Sequence, residues 1–234
     1  MKLSLIIPTY NERENIQKLL LALEDNLSRS KINSEIIVVD DNSPDGTGRV
    51  LEELKTKYQN LQVIHRKGKL GLSSAVIEGF QIAQGEILGV MDADLSHPIE
   101  KISEMYQAIK NADLVIGSRY VKNGRIEGWN LYRKILSKGA TLLARVFVNI
   151  KDPMSGFFMI RRNLVANEEI NSKGFKILLE LLIKTNCKNV IEIPITFINR
   201  TEGKSKAGIK EIVFFLKNLF GYLPYKKEVF LQFL

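Results

Sequence analysis

Three observations predict an α/β fold with a doubly wound, mostly parallel central sheet and helices on both faces. Short apolar runs alternate with amphipathic segments along the first half of the chain. The connections between these segments are short, as is usual for parallel strands joined by helices. The length of 234 residues suits one such domain. Since ligands bind at the carboxyl edge of such sheets, we expect the catalytic loops to gather there.

The first three strands are predicted from apolar runs that end in turn-forming residues. Leu3–Ile7 ends at Pro8, and Asn11 is expected to cap the helix that follows. Glu35–Val39 ends in a turn rich in Asx, Pro and Gly residues, and Gln62–His65 is followed by a basic, glycine-bearing loop. Each strand therefore leads through a polar turn into a helix.

The turn after the first strand disfavours two familiar classes of nucleotide-binding protein. It reads Pro-Thr-Tyr-Asn-Glu, whereas a dinucleotide-binding fold needs Gly-x-Gly-x-x-Gly at this place, and the later pair Gly46 and Gly48 lacks the third glycine. A sugar-phosphate nucleotidyltransferase also combines carboxylates with a nucleotide fold. That class, however, has a glycine-rich phosphate loop after its first strand, so the turn disfavours it as well.

Two carboxylates follow the strand predicted at Ile87–Met91. Asp92 and Asp94 lie one residue apart at its carboxyl end, where they repel each other unless a cation or a proton separates them. Oxygen ligands favour Mg²⁺ or Mn²⁺, which usually completes its shell with water and substrate phosphates. The pattern predicts a nucleotide diphosphate as ligand. The alternative is a pair of solvated loop aspartates, with Ser96 capping a helix from Pro98 to Ile109.

The distribution of charge predicts an anionic partner for the second half of the chain. The net charge is +8, but the first 117 residues carry −4 and the remaining 117 carry +12. A phosphorylated substrate or a membrane surface fits this asymmetry. We expect no nucleic-acid partner, because the basic residues are scattered between apolar segments without an aromatic RNA-binding signature.

Candidate phosphate ligands follow the carboxylates in the sequence. Arg119 and Arg133 can each bind phosphate with two donors, and Ser137 adds a hydroxyl near the start of a helix predicted from Arg133 to about Val148. A further strand is predicted at Val190–Ile198. The basic, glycine-bearing residues 199–208 after it fit a loop that closes on phosphate.

The last 26 residues predict an amphipathic helix, and we divide the chain into a catalytic domain, 1–208, and this segment, 209–234. Its apolar face fits either a membrane interface or ordinary packing on the domain. The sequence contains no run of about 20 apolar residues that could span a bilayer, so a peripheral location on the cytoplasmic side of a membrane is expected. Cys187, the one cysteine, excludes an internal disulfide. His97 and His65 are interpreted as structural.

Taken together, these motifs resemble the dolichyl-phosphate mannose synthase family, a branch of the inverting family 2 glycosyltransferases with the GT-A fold. The resemblance runs from Leu3 to about Lys217. It is carried in order by PTYNERENI, IIVVDDNSPDGTG, GLSSAVIEGF, MDADLSHP, GSRY, GW with a following RKILSKGA, DPMSGF, EIPITF and RTEGKSK.

The resemblance implies roles for individual residues. The nucleotide pocket would be lined by Pro8, Tyr10, Glu12, Val39 and Asp41. The metal and the diphosphate would be held by Asp92, Ala93 and Asp94, and the phosphates by Arg119, Lys173, Arg200 and Lys206. Arg133 and Ser137 would bind the lipid phosphate. Ser96 stands where members of the family often have Gln, so the third protein ligand to the metal would be a serine hydroxyl or a water.

The activity that the resemblance implies is inverting transfer of mannose from GDP-mannose to dolichyl phosphate, giving dolichyl β-D-mannosyl phosphate, with Mg²⁺ or Mn²⁺ as cofactor. A lipid phosphate is already anionic, so its attack needs no general base. A UDP-sugar such as UDP-glucose and a bacterial-type polyprenyl phosphate stay open as substrates. A nucleotide-binding module without enzymatic activity is the alternative from another class.

Overall fold

The computed structural model describes residues 1–166, 168–170, 176–199, 219, 221 and 222. The strands are β1 (Leu3–Thr9), β2 (Ser34–Asp40), β3 (Leu61–His65), β4 (Ile87–Val90), β5 (Leu114–Ser118), β6 (Arg125–Glu127), β7 (Phe158–Arg161), β8 (Val190–Pro194) and β9 (Thr196–Ile198). The helices are α1 (Arg13–Arg29), α2 (Thr47–Lys55), α3 (Leu72–Ile82), α4 (Lys101–Ala108), α5 (Leu131–Ala144) and α6 (Ile177–Lys184).

Seven of these strands form one sheet, in the order β3-β2-β1-β4-β7-β5-β8. The neighbouring pairs are parallel except at β7, which runs antiparallel to both β4 and β5. The sheet is therefore mostly parallel, as predicted. Its carboxyl edge carries the turns after β1, β2, β4 and β5, which contain most of the predicted site residues that the structure describes.

Helices cover both faces of the sheet because alternate side chains of each strand point to opposite sides. Leu3, Leu5 and Ile7 of β1 pack in a core with α1, α2 and α4, whereas Ile6 packs in a second core with α3 and α6. Both faces are consequently buried, and the strands read as nearly continuous apolar runs.

Hydrogen bonds join the turn after β1 to the one after β2, and the prediction that Asn11 caps α1 is wrong. Asn11 adopts a positive φ of 58°, and its backbone N–H donates to Ser43 Oγ at 2.9 Å. The helix begins at Arg13, after Glu12, whose N–H donates to Thr47 Oγ1 at 3.0 Å. The side chains of Ser43 and Thr47 thus accept hydrogen bonds from the backbone just before α1. The sequence had predicted that the Asn11 side chain caps this helix.

The strand predicted at Val190–Ile198 is divided into two. β8 ends at Pro194, which has no N–H to donate, and β9 leaves the main sheet to pair with β6. Ile195 joins the two sheets, because its N–H donates to Ser118 O at 3.0 Å and its carbonyl accepts from Arg125 N at 3.0 Å. This change of sheet places Asn199, the residue after β9, within hydrogen-bond distance of Arg133.

Helix boundaries differ from the prediction by up to four residues. α4 begins at Lys101, after Glu100, so Ser96 does not cap it. α5 begins at Leu131 because the side chain of Asn130 accepts from Arg133 N, and it ends at Ala144 instead of Val148. No helix in the described part of the chain is long and apolar enough to cross a bilayer.

The helix predicted over residues 209–234 lies outside the described residues, except at three positions. Two of these, Leu219 and Tyr222, are buried in a small core with Phe147, Leu179 and Ile183. At these two positions the apolar side chains pack against the domain, which is the second of the two interpretations that the sequence allowed.

Candidate active site

Asp92 and Asp94 follow β4 directly and are each held by a residue further along the same loop. Asp94 is buried, and its Oδ1 accepts hydrogen bonds from the backbone N–H of Ser96 at 3.2 Å and from the Ser96 hydroxyl. Asp92 is more open, and its Oδ2 lies 3.2 Å from His97 Nε2. Ser96, whose hydroxyl or a water in its place we expected as the third metal ligand, is thus placed to orient Asp94.

The two carboxylates fit a divalent cation whose coordination shell is completed by the substrate. Among the described residues no group of three or more His, Cys, Asp or Glu side chains could enclose a metal. Two carboxylates are nevertheless what Mg²⁺ or Mn²⁺ usually takes from a protein when phosphates supply other ligands. Gly156 leaves room for the Asp92 carboxylate, because a Cβ at this position would lie only 3.0 Å from Asp92 Oδ2.

The predicted nucleotide pocket lies at the ends of β1 and β2. Asp41 is buried there, with Oδ1 2.5 Å from Arg66 Nη1 and Oδ2 accepting from Gly71 N at 2.8 Å. Lys69 Nζ lies 4.2 Å from the centre of the Tyr10 ring. Of the other predicted residues, Pro8 and Val39 are adjacent partners in the β1–β2 register, and Glu12 follows at the start of α1.

Arg119 forms a buried ion pair with Asp152. Its Nε and Nη2 donate to the two carboxylate oxygens at 2.8 Å each, and its backbone N–H donates to Oδ2 at 2.9 Å. Burial alone would lower the pKa of Arg119, but the hydrogen bonds and the charge of Asp152 outweigh burial and raise it. The charge of Arg119 is therefore largely balanced within the protein.

Arg133 is positioned by an aromatic ring and an amide. Its guanidinium lies 4.0 Å from the centre of a Trp129 ring, and Nη1 donates to Asn199 Oδ1 at 2.9 Å. One turn further along α5, Ser137 Oγ is 2.8 Å from the hydroxyl of Tyr120, the residue after Arg119. The Arg119 guanidinium also lies 5.9 Å from the centre of a Trp129 ring, so Arg119, Arg133 and Ser137 are near one another.

Lys176 is a site residue that the sequence did not reveal. Burial, together with the charges of Arg119 and Arg133, lowers the pKa of its ammonium to about 8, although Asp152 and Asp92 act in the opposite direction. The charge of Lys176 therefore interacts with those of Arg119, Asp152, Asp92 and Arg133. Its signal in the sequence is weak, because it is one of many lysines and immediately precedes the apolar helix α6.

Three predicted phosphate contacts, Lys173, Arg200 and Lys206, lie outside the described residues. Four other residues of the site were not predicted. Arg66 and Lys69 belong to the basic loop after β3, and Trp129 and Asn199 surround Arg133. Contacts of this kind depend on which loops meet at the sheet edge, so a strand-by-strand interpretation of the sequence does not find them.

Comparison with known proteins identifies the family. A model of glycosyl transferase family 2 matches residues 4–167, which is most of the chain. The chain belongs to this family. The glycosyl transferase family 2 match begins in β1 and ends just beyond β7, so it contains Asp92, Asp94, Arg119 and Arg133.

Two curated relatives confirm the resemblance found in the motifs. The dolichol-phosphate mannosyltransferase of Pyrococcus furiosus is 47% identical over 234 residues, covering 98% of this chain and 66% of that protein. The dolichol-phosphate mannosyltransferase of Saccharomyces cerevisiae is 38% identical over 226 residues, covering 92% of this chain and 85% of that protein. The chain thus spans just under two thirds of the length of the first relative.

A solved structure confirms the predicted fold class, an α/β fold of the GT-A type. Glucosyl-3-phosphoglycerate synthase from Mycobacterium tuberculosis, crystallised with Mn²⁺, UDP-glucose and phosphoglyceric acid, superposes with a TM-score of 0.68. The match covers 96% of this chain and 79% of that one at 16% identity. At this identity the likeness concerns the fold.

The lowered pKa of Lys176 predicts that nucleotide diphosphate binding weakens in mildly alkaline solution. Below about pH 8 the ammonium is charged and attracts phosphate, and above it the charge is lost. Bound phosphate favours the charged form, so the midpoint should lie at or above this value. Titration calorimetry with GDP should show about fivefold weaker binding at pH 9 than at pH 7. Lys176→Arg, which stays charged, should remove this dependence. An unchanged pH dependence in Lys176→Arg would contradict the assignment.

Proposed function

We propose that the protein transfers mannose from GDP-mannose to dolichyl phosphate or a related polyprenyl phosphate, with inversion at the anomeric carbon. Relatives named dolichol-phosphate mannosyltransferase, similar over nearly the whole chain, support this reaction. We assign it to residues 1–208, with 209–234 as a C-terminal helical segment. The single observation that supports a lipid acceptor is that helix α5 carries Arg133 and Ser137 on one side and exposed apolar side chains on the other.

One side of α5 is directed to the active site. It carries Arg133, next to Trp129 and Asn199, and Ser137, next to Tyr120. The charge of Arg119 is balanced by Asp152, so we infer that, among the described residues, Arg133 and Lys176 supply positive charge to an additional phosphate. We assign the acceptor phosphate to Arg133 and Ser137, and Lys176 to the region between acceptor and donor.

The other side of α5 is apolar and exposed. Seven of the twelve exposed large apolar side chains in the described part of the chain lie on or just after this helix: Leu131, Tyr132, Ile135, Leu136, Leu142, Leu143 and Val146. At 100° per residue, those within the helix occupy an arc of about 140°. A helix that binds phosphate on one side and exposes apolar residues on the other fits a substrate with a polar head and a hydrocarbon tail.

We infer that this apolar arc lies in the surface of a membrane that contains anionic lipid. Lys134, Lys138 and Arg145 border the arc, and no acidic residue occurs from Gly128 to Lys151. Apolar burial in the headgroup region and attraction of basic residues to anionic lipid are the usual forces that hold such a helix. We place the protein on the cytoplasmic side, where sugar nucleotides are supplied.

The residues of the donor side have separate tasks in this proposal. Asp41, Tyr10, Pro8, Glu12 and Val39 bind the nucleoside, and Asp92, Ala93 and Asp94 lie against its diphosphate. Asp92 and Asp94, with Ser96 orienting Asp94, would hold a divalent cation, which would supply charge to stabilise the leaving diphosphate. Arg119 keeps Nη1 outside its two bonds with Asp152, and we assign this atom to a substrate phosphate.

The reaction needs positioning more than proton transfer. An oxygen of the acceptor phosphate forms a bond to the anomeric carbon while the bond from that carbon to the donor diphosphate breaks. The acceptor is already an anion, so no residue has to remove a proton. Arg133 and Ser137 hold the acceptor opposite the leaving group, which gives a β-linked product from an α-linked donor.

Incubation of the protein with labelled sugar nucleotides and dolichyl phosphate tests the function. Product should form with GDP-mannose, should need Mg²⁺ or Mn²⁺, and should fall at least about a hundredfold in Asp94→Asn, because a cation stabilises the developing charge by several kcal/mol. Asn keeps the shape of Asp94 and removes its charge. Full activity in EDTA would contradict the cation, and preference for UDP-glucose would contradict the donor.

Charges introduced on the apolar arc test the membrane contact. Ile135→Glu with Leu142→Glu should abolish co-sedimentation with liposomes that contain anionic lipid and should lower activity on long-chain lipid, since both side chains are exposed and would have to enter the headgroup region. Activity on a short, water-soluble acceptor should be kept. The control is Leu21→Glu, an equally exposed leucine on α1. Liposome binding that survives the double substitution would place the contact elsewhere.

A further inference from the structure

A buried histidine contacts one of the two carboxylates. The side chain of His97 is only 2% exposed, and its Nε2 lies 3.2 Å from Asp92 Oδ2. An ionised carboxylate can only accept, so Nε2 carries the hydrogen and donates it. The contact joins two residues of the same loop, five positions apart, and it lies at the end of β4.

Two aromatic rings fix the orientation of this imidazole. The ring of Phe157 stacks on it, with 5.1 Å between centroids and 30° between planes, and the ring of Phe197 meets it edge-on at 5.3 Å. Phe157 precedes β7 and Phe197 belongs to β9, so the histidine is held between two separate parts of the fold. With these neighbours in place, the ring has little freedom to turn Nε2 away from Asp92.

Packing alone does not account for a histidine at this position. Its Nδ1 is buried and has no hydrogen-bond partner among the described residues. Burying a polar atom without a partner is unfavourable, and a phenyl ring would fill the same space without that loss. The donor Nε2 is what distinguishes His97 from a phenylalanine here.

We propose that His97 is a positioning residue that orients the carboxylate of Asp92 for the divalent cation and thereby sets the affinity for that cation. The inference rests on the proposed function, in which the cation joins Asp92 and Asp94 to the donor diphosphate. With Oδ2 bound to the ring, the Asp92 carboxylate is already ordered when the cation arrives. Ser96 orders Asp94 in the same way, so each carboxylate has a dedicated donor in the loop.

Two substitutions separate this role from packing. His97→Phe keeps an aromatic ring between Phe157 and Phe197 but removes the donor. His97→Gln removes the ring but keeps an amide N–H at about the distance of Nε2 from the backbone. A positioning role predicts that Gln preserves cation affinity better than Phe, whereas a packing role predicts the opposite order for both affinity and stability.

The measurement is Mn²⁺ affinity of the full chain in the presence of GDP, from the electron paramagnetic resonance signal of free Mn²⁺. His97→Phe should bind Mn²⁺ about 10 to 100 times more weakly than the unsubstituted protein, the usual loss when the partner of a metal ligand is removed. His97→Gln should recover most of the affinity. His65→Gln is the matched control, because His65 is the other histidine of the chain and also contacts a carboxylate, that of Glu52 at 2.8 Å.

Three results would overturn the inference. They are equal Mn²⁺ affinity in His97→Phe and the unsubstituted protein, a folded His97→Gln that binds as weakly as His97→Phe, and absence of Mn²⁺ binding in the unsubstituted protein. If His97→Phe does not fold, the affinity of His97→Gln decides: near-normal binding supports the inference and a tenfold loss or more contradicts it. Mn²⁺ binding without formation of mannosyl lipid would contradict the proposed function alone.

Discussion

The buried ion pair between Arg119 and Asp152 is the interaction on which the site depends. Arg119 follows β5, and Asp152 lies in the turn that leads to β7. The backbone N–H groups of Lys151 and Asp152 in turn donate to Glu192 of β8 at 2.9 Å each. Three strands are thereby joined at the carboxyl edge. Removing one partner would leave a buried charge unpaired, at a cost of about 3–5 kcal/mol.

This ion pair also determines where charge is available for substrate. The turn that contains Asp152 continues to Gly156, which leaves room for Asp92, and to Phe157, which stacks on His97. Among the described residues, the guanidinium of Arg119 is balanced by its partner, and the charges of Arg133 and Lys176 lie close enough to interact with each other. In the proposed function, the carboxylates would hold the cation beside the donor diphosphate and the basic side chains would bind the acceptor phosphate.

The sequence predicted those parts of the structure that depend on local pattern. Strands β1 to β4, the helices between them, and the place of Asp92 and Asp94 follow from apolar periodicity and from polar residues at strand ends. It failed where contacts between distant segments decide. The side chains of Ser43 and Thr47 bind the backbone near Asn11, and the sheet change at Pro194 depends on pairing with β6.

The candidate site shows the same division. The carboxylates and the two arginines stand out by residue type and spacing, but Lys176 becomes a candidate only through its electrostatic interaction with Arg119 in the folded chain. His97 looked structural in the sequence, since a histidine before a proline commonly serves a loop. Its orientation toward Asp92 depends on the rings of Phe157, just before β7, and Phe197, in β9, which are distant in the sequence. The apolar arc of α5 was similarly hidden, because an apolar helix face usually indicates core contact.

The anomeric configuration of the lipid product tests the central claim most directly. In our account the acceptor phosphate, held by Arg133 and Ser137, attacks the anomeric carbon from the side opposite the diphosphate. Nuclear magnetic resonance of the mannosyl lipid made from GDP-mannose and dolichyl phosphate should therefore show the β-linkage alone. An α-linked product would mean that the sugar is displaced twice or attacked from the same side, and would contradict the arrangement of carboxylates and cations proposed for this site.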